Sequence, residues 1–212
     1  MLTEPVLFGA AYSVYVRAAR LTLAEKGVAY RLAPVDVFAP GGPPAEHLAR
    51  HPFGKIPALE HRGFRLYEAG AITRYVDEAF EGPALQPASP QGRARMNQAI
   101  SVADSYAYPI WIWGIYVERI GALRRGGVPN EARIAQALPR AETCLAAFEA
   151  ILGEGPWLAG AALTLADLHA GPMFDLFLQT PEGVEMIGRH DRLTLWWERM
   201  RIRPSMTDTA PA

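Results

Sequence analysis

The sequence predicts a two-part chain, in which an α/β domain over residues 1–82 is followed by an all-helical domain over residues 91–212. Short apolar runs of strand character alternate with helical runs over the first 80 or so residues, whereas no convincing strand follows residue 90. Between the two parts, residues 83–90 contain three prolines, which cannot continue a helix and are typical of a linker.

The first part is predicted as strand, helix, strand, short helix, two hairpin strands and helix. Residues 5–9 form a short apolar strand, and the helix behind it ends at Lys26-Gly27, a cationic last turn followed by the glycine that commonly ends a helix. The remaining elements are a strand over 30–35, a short helix over 45–50, hairpin strands over 58–60 and 64–66, and a helix that ends near residue 80.

Ser13 opens the first predicted helix and is the candidate catalytic residue. A hydroxyl at a strand-to-helix turn lies where unpaired backbone N–H groups and the helix dipole favour negative charge, including that of a thiolate. The alternative is that Ser13 acts only as a helix N-cap, a common role for serine.

Two further segments offer backbone groups to a ligand. Ile56-Pro57 enters a predicted strand, and a proline at that position is a candidate for a cis peptide bond that turns the backbone of Ile56 outward, toward an extended peptide. The residues from Glu68 and Ala69 onward open the third helix, whose first turn offers free N–H groups to a carboxylate.

The second part is predicted to contain four main helices, over residues 91–125 with a bend at Pro109, 131–152, 165–178 and 191–201. Thr164 and Asp167 have the spacing of a capping box, in which each side chain accepts from the other residue's backbone N–H. We therefore assign Asp167 a structural role and not a catalytic one.

The helix over residues 105–116 carries five aromatic side chains. With helical spacing, Tyr106, Ile110 and Trp113 fall on one stripe and Tyr108 and Trp111 on another. Such a two-sided helix is usually packed in a domain or dimer core. The alternative is that the first stripe also lines a pocket for an apolar substrate.

Composition excludes several function classes. The net charge of −1 gives no field that would attract nucleic acid, and no apolar run approaches the length of a membrane span. Without a basic segment ahead of an apolar one, we expect no secretory signal and a cytoplasmic protein. Cys144 is the one cysteine, which fits a reducing compartment and a buried, inert thiol. No cluster has metal-ligand spacing, so we expect no metal.

Three motifs, in this order, are similar to those of glutathione transferases. They are Phe8-Gly9 through Ser13 with Arg17 following, His51-Pro52-Phe53-Gly54-Lys55-Ile56-Pro57, and Glu68 to Ile72, with the helix-opening segment Leu163 to Leu168 as a further signature. The chain thus resembles this family, closest to the serine-type enzymes of the phi and related bacterial classes. The resemblance implies a thioredoxin-like first domain (βαβαββα) and an all-α C-terminal helical bundle.

The resemblance also implies a function and the residues that carry it. Ser13 would donate to the sulfur of glutathione, the co-substrate, and favour its thiolate, which attacks a small hydrophobic electrophile. The residues that would bind glutathione are Tyr12, Lys55, Ile56, Pro57, Glu68 and Ala69. Tyr106, Ile110 and Trp113 would line the electrophile pocket, and the protein would be a homodimer active in detoxification, without nucleic-acid or membrane partners.

The chain departs from the family pattern in two places. The Glu-Ser pair of the family reads Glu68-Ala69 here, so the hydroxyl that binds the γ-glutamyl carboxylate is missing. The loop over residues 39–44, which supplies a basic residue in phi enzymes, contains no cation. These departures favour one alternative, a non-catalytic binding or regulatory protein on the same fold. A second alternative is another glutathione-dependent enzyme on the same fold, such as a peroxidase or isomerase.

Overall fold

The computed structural model describes residues 4–211 and divides the chain into two compact units. The first unit runs to Leu85 and also takes in the residues from Arg203 onward, and the second spans Gln86–Ile202. The sequence instead assigned residues 91–212 as a whole to the helical part, so the structure divides the chain differently at its C-terminal end.

The first unit has the predicted order of strands and helices. Its elements are β1 (Val6–Phe8), α1 (Val14–Glu25), β2 (Arg31–Ala33), α2 (Ala45–Leu48), β3 (Ala58–His61), β4 (Phe64–Tyr67) and α3 (Ala69–Ala79). The sheet order is β2-β1-β3-β4, with β1 and β2 parallel and the other two pairs antiparallel. This arrangement confirms the βαβαββα prediction for the first domain.

The core of this unit lies where α1 and α3 cover the sheet. Leu7 of β1 and Leu59 of β3 are register partners and almost fully buried, with Leu23 of α1 and Ile72 of α3 in the same apolar cluster. Burying such side chains supplies the main driving force for folding, at about 1.5–3 kcal/mol each.

A buried lysine joins the ends of α1 and α3. Lys26 is the C-cap of α1, and Gly27 follows it in the left-handed region at φ 67°, as predicted for this helix end. The Lys26 ammonium donates to the Asp77 carboxylate at 3.2 Å, to the Asp77 carbonyl at 3.0 Å and to the Pro83 carbonyl at 3.1 Å. All three donors of the ammonium are therefore satisfied away from water.

The residues after Ile202 belong to the first unit because they bind to α1. The Arg203 guanidinium pairs with the Glu25 carboxylate at 2.6 Å, and the Ser205 hydroxyl donates to the same carboxylate at 2.5 Å. The buried Arg17 side chain donates to the Met206 carbonyl at 3.0 Å. The paired residues lie more than 175 positions apart in the chain. The periodicity of apolar residues in the sequence does not report such distant contacts, so it did not predict that this segment belongs to the α/β domain.

The second unit is helical throughout its described elements. They are α4 (Pro90–Val102), a π-helical segment (Ala103–Gly121), α5 (Ala122–Arg124), α6 (Glu131–Leu152), α7 (Leu165–Phe177), α8 (Pro181–Ile187) and α9 (Asp191–Arg201), and the short helix α10 (Pro204–Asp208) follows in the C-terminal segment of the first unit. This confirms the predicted helical domain. The sequence pattern predicted neither α8 nor α10.

The π-helical segment differs from the regular helix that the sequence predicted for residues 91–125. Pro109 lies inside it. Proline has no N–H to donate to the carbonyl four residues back, so it interrupts a regular α-helical ladder. The wider turn also changes which residues share a face, so the stripes derived from regular helical spacing do not describe the segment.

Two of the predicted features of this unit are confirmed in detail. The capping box is present, with the Thr164 N–H donating to the Asp167 carboxylate at 2.8 Å. That buried carboxylate also accepts from the Leu158 N–H at 2.9 Å and from the Trp196 indole at 2.8 Å, which supports its structural role. Trp111 packs in the core of the unit, stacked on Phe177 with the ring centroids 4.9 Å apart.

His190 bridges two carboxylates of α6. Its Nδ1 lies 2.8 Å from the Glu149 carboxylate and its Nε2 lies 2.8 Å from the Glu142 carboxylate. Burial alone would lower the pKa of His190, but the hydrogen bonds to Glu149 and Glu142 outweigh it and raise the pKa. The folded state therefore favours the charged imidazolium.

Within residues 4–211, no helix is both long enough and apolar enough to cross a membrane.

We expect Lys26→Met to destabilise the protein by about 3–5 kcal/mol, because it leaves the Asp77 carboxylate buried without its cation. Urea unfolding followed by circular dichroism measures the change. The double variant Lys26→Met/Asp77→Asn should lose less than the single one, since no buried charge remains. A single variant within about 0.5 kcal/mol of wild type, the usual scatter of an exposed substitution, would contradict the role assigned to this pair.

We expect His190→Gln to cost more stability in mild acid than in mild alkali. A raised pKa in the folded state stabilises the protein fully below about pH 6.5, the ordinary histidine value, and this contribution is lost as the pH rises through the folded value. Urea unfolding of both proteins across this range measures the difference. His61→Gln is the matched control, because the described partner of the His61 ring is the Tyr75 hydroxyl and not a carboxylate. An equal loss at all pH values would refute the assignment.

Candidate active site

The strand register brings three of the sequence motifs to the same end of strands β1, β3 and β4, which forms one edge of the sheet. Phe8 pairs with Ala58, and Ala58 pairs with Tyr67, so these residues form one row across β1, β3 and β4. Neighbouring strands lie about 4.8 Å apart, so the row spans about 10 Å. Ser13 follows this row on one strand, Ile56 precedes it on the next, and Glu68 follows it on the third.

Ser13 is the N-cap of α1. Its backbone is extended, and its Oγ accepts from the Val16 N–H at 3.4 Å. The cap uses a lone pair of the oxygen, while the hydroxyl hydrogen can still donate to another group. The N-cap role and the predicted catalytic role are therefore compatible.

Gly9 allows the tight turn that carries the chain from β1 to Ser13. A Cβ atom at this position would lie 2.4 Å from a methyl carbon of Val16 in the first turn of α1. The close approach of the strand end to the helix thus requires a residue without a side chain.

Tyr12, one of the predicted binding residues, is half exposed and stacks on Phe38, with the ring centroids 6.1 Å apart. Phe38 itself is 65% exposed, so the pair presents apolar surface next to Ser13. Phe38 belongs to none of the sequence motifs and is separated from Tyr12 by 26 positions in the chain.

The Ile56-Pro57 peptide bond is cis, as the sequence predicted. Ile56 stands outside the ladder, because the pairing of β1 with β3 begins at Ala58. The Lys55 side chain is exposed, and the Lys55 carbonyl lies 2.7 Å from Nε2 of the buried His47. His47 thereby fixes the backbone of the segment that presents Ile56.

Glu68 has an unusual backbone conformation at the start of α3. Its φ is 71° and its ψ is 121°, although it is not glycine. Such conformations cost about 1–3 kcal/mol and persist where the surrounding structure imposes them, frequently at functional sites. Glu68 is the N-cap of α3, and its side chain makes no cap hydrogen bond. The N–H groups of Ala69 and Gly70 therefore remain available to an anion, whereas the Ala71 N–H donates to the Glu68 carbonyl at 3.1 Å.

The two departures from the family pattern are visible in the structure. Ala69 is buried at the first position of α3 and offers a backbone N–H but no hydroxyl. The loop over residues 39–44 turns through Gly41 and Gly42, both at positive φ, and supplies no cation. Lys55 and the helix N-termini are sources of positive charge at this edge that do not depend on the loop.

The three predicted pocket residues lie in the π-helical segment and do not share one environment. Tyr106 is 58% exposed and Trp113 is partly exposed, whereas Ile110 is buried. The expected stripe of Tyr106, Ile110 and Trp113 is thus not a single exposed face. The wider π-helical turn accounts for this difference, because it rotates residues away from their regular helical positions.

The environment of Cys144 does not favour a nucleophilic thiolate. Burial raises the pKa of the Cys144 thiol to about 11, which leaves it protonated and inert near neutral pH. Among residues 4–211, no group of three or more histidine, cysteine, aspartate or glutamate side chains is arranged to hold a metal ion.

The four-stranded sheet in the order β2-β1-β3-β4, with a cis-proline loop and the N-termini of two helices at one edge, defines a thioredoxin-like fold. Models of the glutathione S-transferase N-terminal domain and C-terminal domain match residues 7–84 and 111–204. The chain belongs to the glutathione S-transferase family.

Individual relatives agree with this assignment over nearly the whole chain. Glutathione S-transferase F13 of Arabidopsis thaliana is 30% identical over 207 residues, which cover 97% of this chain and 94% of the relative. The crystal structure of glutathione transferase F7 from Populus trichocarpa is also 30% identical, covers 97% of each chain and superposes with a TM-score of 0.84.

A further solved structure contains a glutathione conjugate. It is glutathione S-transferase I from maize in complex with an atrazine–glutathione conjugate, which is 26% identical with a TM-score of 0.84. The alignment covers 97% of this chain and 96% of that one.

We expect Ala69→Ser to tighten glutathione binding by about 1 kcal/mol, or about fivefold, because the new hydroxyl adds a hydrogen bond to a ligand carboxylate at the N-terminus of α3. Isothermal titration calorimetry measures the change. Ala71→Ser, in the same helical turn, is the matched control and should leave the affinity as it was. Equal effects of the two substitutions would show that the Ala69 position has no special contact.

Proposed function

We propose that this protein joins the thiolate of glutathione to a small hydrophobic electrophile, with Ser13 as the catalytic residue. One observation carries the proposal: the register row of Phe8, Ala58 and Tyr67 places the Ser13 turn, the Ile56 segment and the N-terminus of α3 at the same sheet edge. A γ-linked peptide with a central thiol and charged ends has groups that complement all three.

The amino-acid end of glutathione would bind at the N-terminus of α3. This end carries an ammonium and a carboxylate on one carbon. The exposed Glu68 carboxylate complements the ammonium, and the N–H of Ala69 complements the carboxylate. The cysteinyl unit would pair with the backbone of Ile56 beside Pro57, and the Lys55 ammonium would hold the other end of the peptide.

The Ser13 hydroxyl would stabilise the thiolate. A free thiol has a pKa near ~8.5, and lowering it to ~6.5 requires about 2.7 kcal/mol of preferential stabilisation of the anion. One charge-assisted hydrogen bond from Ser13, together with the positive end of α1, is of that magnitude. The sulfur then forms a bond to the electrophilic carbon, and the leaving group departs with the bonding electrons.

The electrophile would contact aromatic side chains. Tyr12 and Phe38 present an exposed stacked pair next to Ser13. The lining role of Tyr106, Ile110 and Trp113 stays a prediction from the family resemblance; Tyr106 and Trp113 are exposed and Ile110 is buried within the π-helical segment. Apolar and aromatic lining with few polar groups is typical of sites for small hydrophobic molecules.

The proposal also covers the oligomeric state and the cellular compartment of the protein. We propose a homodimer that works in the cytoplasm in the detoxification of electrophiles, without a metal, nucleic acid or membrane partner. Support comes from the single buried Cys144, which fits a reducing compartment, and from the net charge of −1. Analytical ultracentrifugation tests the dimer, and a sedimenting monomer at micromolar concentration would refute it.

A second candidate function is a binding or regulatory protein that keeps the fold without the conjugation chemistry. Ala69 and the cation-free loop over residues 39–44 favour it, because each removes a contact to a glutathione carboxylate. Calorimetric titration with glutathione, followed by a conjugation assay with an activated aryl halide, separates the candidates. Binding with turnover supports the transferase, binding without turnover supports the second candidate, and no binding at millimolar glutathione refutes the transferase.

We expect Ser13→Ala to lower kcat/KM at neutral pH by about ten- to a hundredfold, which corresponds to about 1.5–3 kcal/mol of lost thiolate stabilisation. Part of the loss should be recovered as the pH rises, because the thiol then ionises without help. The measurement is thiolate absorbance and conjugation rate against pH, with glutathione affinity nearly unchanged.

Ser89→Ala is the matched control for this variant. Ser89 caps α4 by accepting from the Gly92 N–H at 3.0 Å, so its loss also removes a helix cap. Both variants should lose about 1 kcal/mol of stability. If Ser13→Ala leaves the pH–rate profile where Ser89→Ala leaves it, Ser13 is only a cap, and Tyr12 becomes the next candidate donor.

A further inference from the structure

His51 is a buried histidine next to the Glu68 carboxylate. The residue is only 1% exposed, and its Nε2 lies 3.9 Å from Oε1 of Glu68. This separation is too long for a hydrogen bond but within the range of an ion pair, which requires the imidazole to carry a proton on both nitrogens. The Glu68 side chain is about two-thirds exposed, so its carboxylate has room to move toward or away from the ring.

The packing around His51 fixes the ring. The His51 ring packs against the Tyr67 ring with the centroids 4.7 Å apart and the planes tilted by 38°, and Phe53 meets it edge-on at 6.2 Å. The His51 N–H donates to the His47 carbonyl at 2.8 Å. Nδ1 of the ring has no hydrogen-bond partner among the described residues. The imidazole is thus held in place by apolar contacts, with Glu68 as the carboxylate that its Nε2 faces.

The charged and titratable groups around His51 act in opposite directions. His47 from α2, Lys55 from the following loop, Tyr67 from the end of β4 and Glu68 from the start of α3 all face it. Burial is the largest cause that lowers the pKa of His51, and His47 and Lys55 lower it further, whereas Glu68 raises it. The folded state therefore favours the neutral ring, which gains its proton at a lower pH than an exposed histidine does.

We propose that His51 is a positioning residue for Glu68, and that its protonation withdraws the Glu68 carboxylate from the ammonium group of the bound peptide. While His51 is neutral, the carboxylate is turned toward the ligand. Once His51 is charged, the imidazolium and the ligand ammonium compete for one carboxylate. The proposal deepens the proposed function, on which it rests, by making the amino-acid subsite acid-sensitive.

The direction of the effect follows from proton linkage. The ligand ammonium adds positive charge near Glu68, which disfavours a second cation on His51, so binding in mild acid must release a proton. A ligand whose binding releases a proton binds more weakly as the pH falls. The affinity for the ligand should fall only below about pH 6.5, the ordinary histidine value, because burial lowers the pKa of His51.

The test uses S-methylglutathione, in which the thiol is blocked so that thiolate formation at Ser13 does not contribute to the pH dependence. Calorimetry gives its dissociation constant for the full-length protein at pH 7.5 and at pH 5.5. We expect wild type to bind about threefold or more weakly at pH 5.5, and His51→Asn, which cannot gain a charge, to show less than about half of that change. Glu68→Gln should also lose the acid effect, because the shared carboxylate is gone.

His61→Asn is the matched control. His61 is a buried histidine in the same unit, but it lies at the opposite end of the β3–β4 hairpin from Tyr67, with its Nδ1 2.7 Å from the Tyr75 hydroxyl. This variant should keep the acid effect of wild type. His51→Gln serves as a second uncharged variant if the asparagine variant does not fold, and thermal unfolding at both pH values checks that every protein is native.

The outcomes separate this inference from the proposed function. If the folded His51 variants show the same acid effect as wild type, or if wild type shows none, the role of His51 is overturned. The transferase proposal then remains intact. If the acid effect is also lost in His61→Asn, its loss is a sign of general destabilisation, and the role of His51 is again overturned. If S-methylglutathione does not bind to wild type even at pH 7.5, the proposed function fails and this inference fails with it.

Discussion

The side-by-side packing of α1 and α3 is the constraint on which the site depends. The buried Lys26 ammonium at the end of α1 binds the carboxylate and the carbonyl of Asp77 near the end of α3. Two packed helices joined at their C-terminal ends have their N-terminal ends together as well, so Ser13 and Ala69 open the same end of the pair. Each N-terminus carries partial positive charge, which favours anions such as a thiolate or a carboxylate.

Backbone groups therefore compensate in part for the side chains that this chain lacks. A serine hydroxyl at position 69 and a cation in the loop over residues 39–44 would each contact a carboxylate of the ligand directly. This chain lacks both groups, but the N–H of Ala69 and the positive end of α3 remain. The backbone of Glu68 is held at positive φ, and Ile56 stands outside the ladder beside a cis proline. These features are set by the fold rather than by side-chain chemistry, so they survive the substitutions at the site.

Features with local causes could be predicted from the sequence. The cap at Ser13, the helix end at Lys26-Gly27, the cis bond before Pro57 and the Thr164–Asp167 capping box each depend on a few neighbouring residues, and each is present. Features that depend on distant contacts could not. The C-terminal segment joins the first unit through pairs such as Arg203 with Glu25. His51 faces Glu68 only because β4 returns the chain to the start of β3. A histidine in a loop motif does not reveal from spacing alone that it is buried or what faces it.

The C-terminal segment also explains how α1 is held along its length. Arg17 lies one helical turn after Ser13, where its N–H donates to the Ser13 carbonyl, and its buried guanidinium is fixed on the Met206 carbonyl. Arg20 donates to the Thr209 carbonyl one turn further on. With Lys26 locked at the other end, α1 is anchored along its length by side chains whose partners lie outside it. A hydroxyl that stabilises a thiolate must be aimed before the sulfur arrives, and a helix fixed in this way supplies that preorganisation without any contact from the ligand.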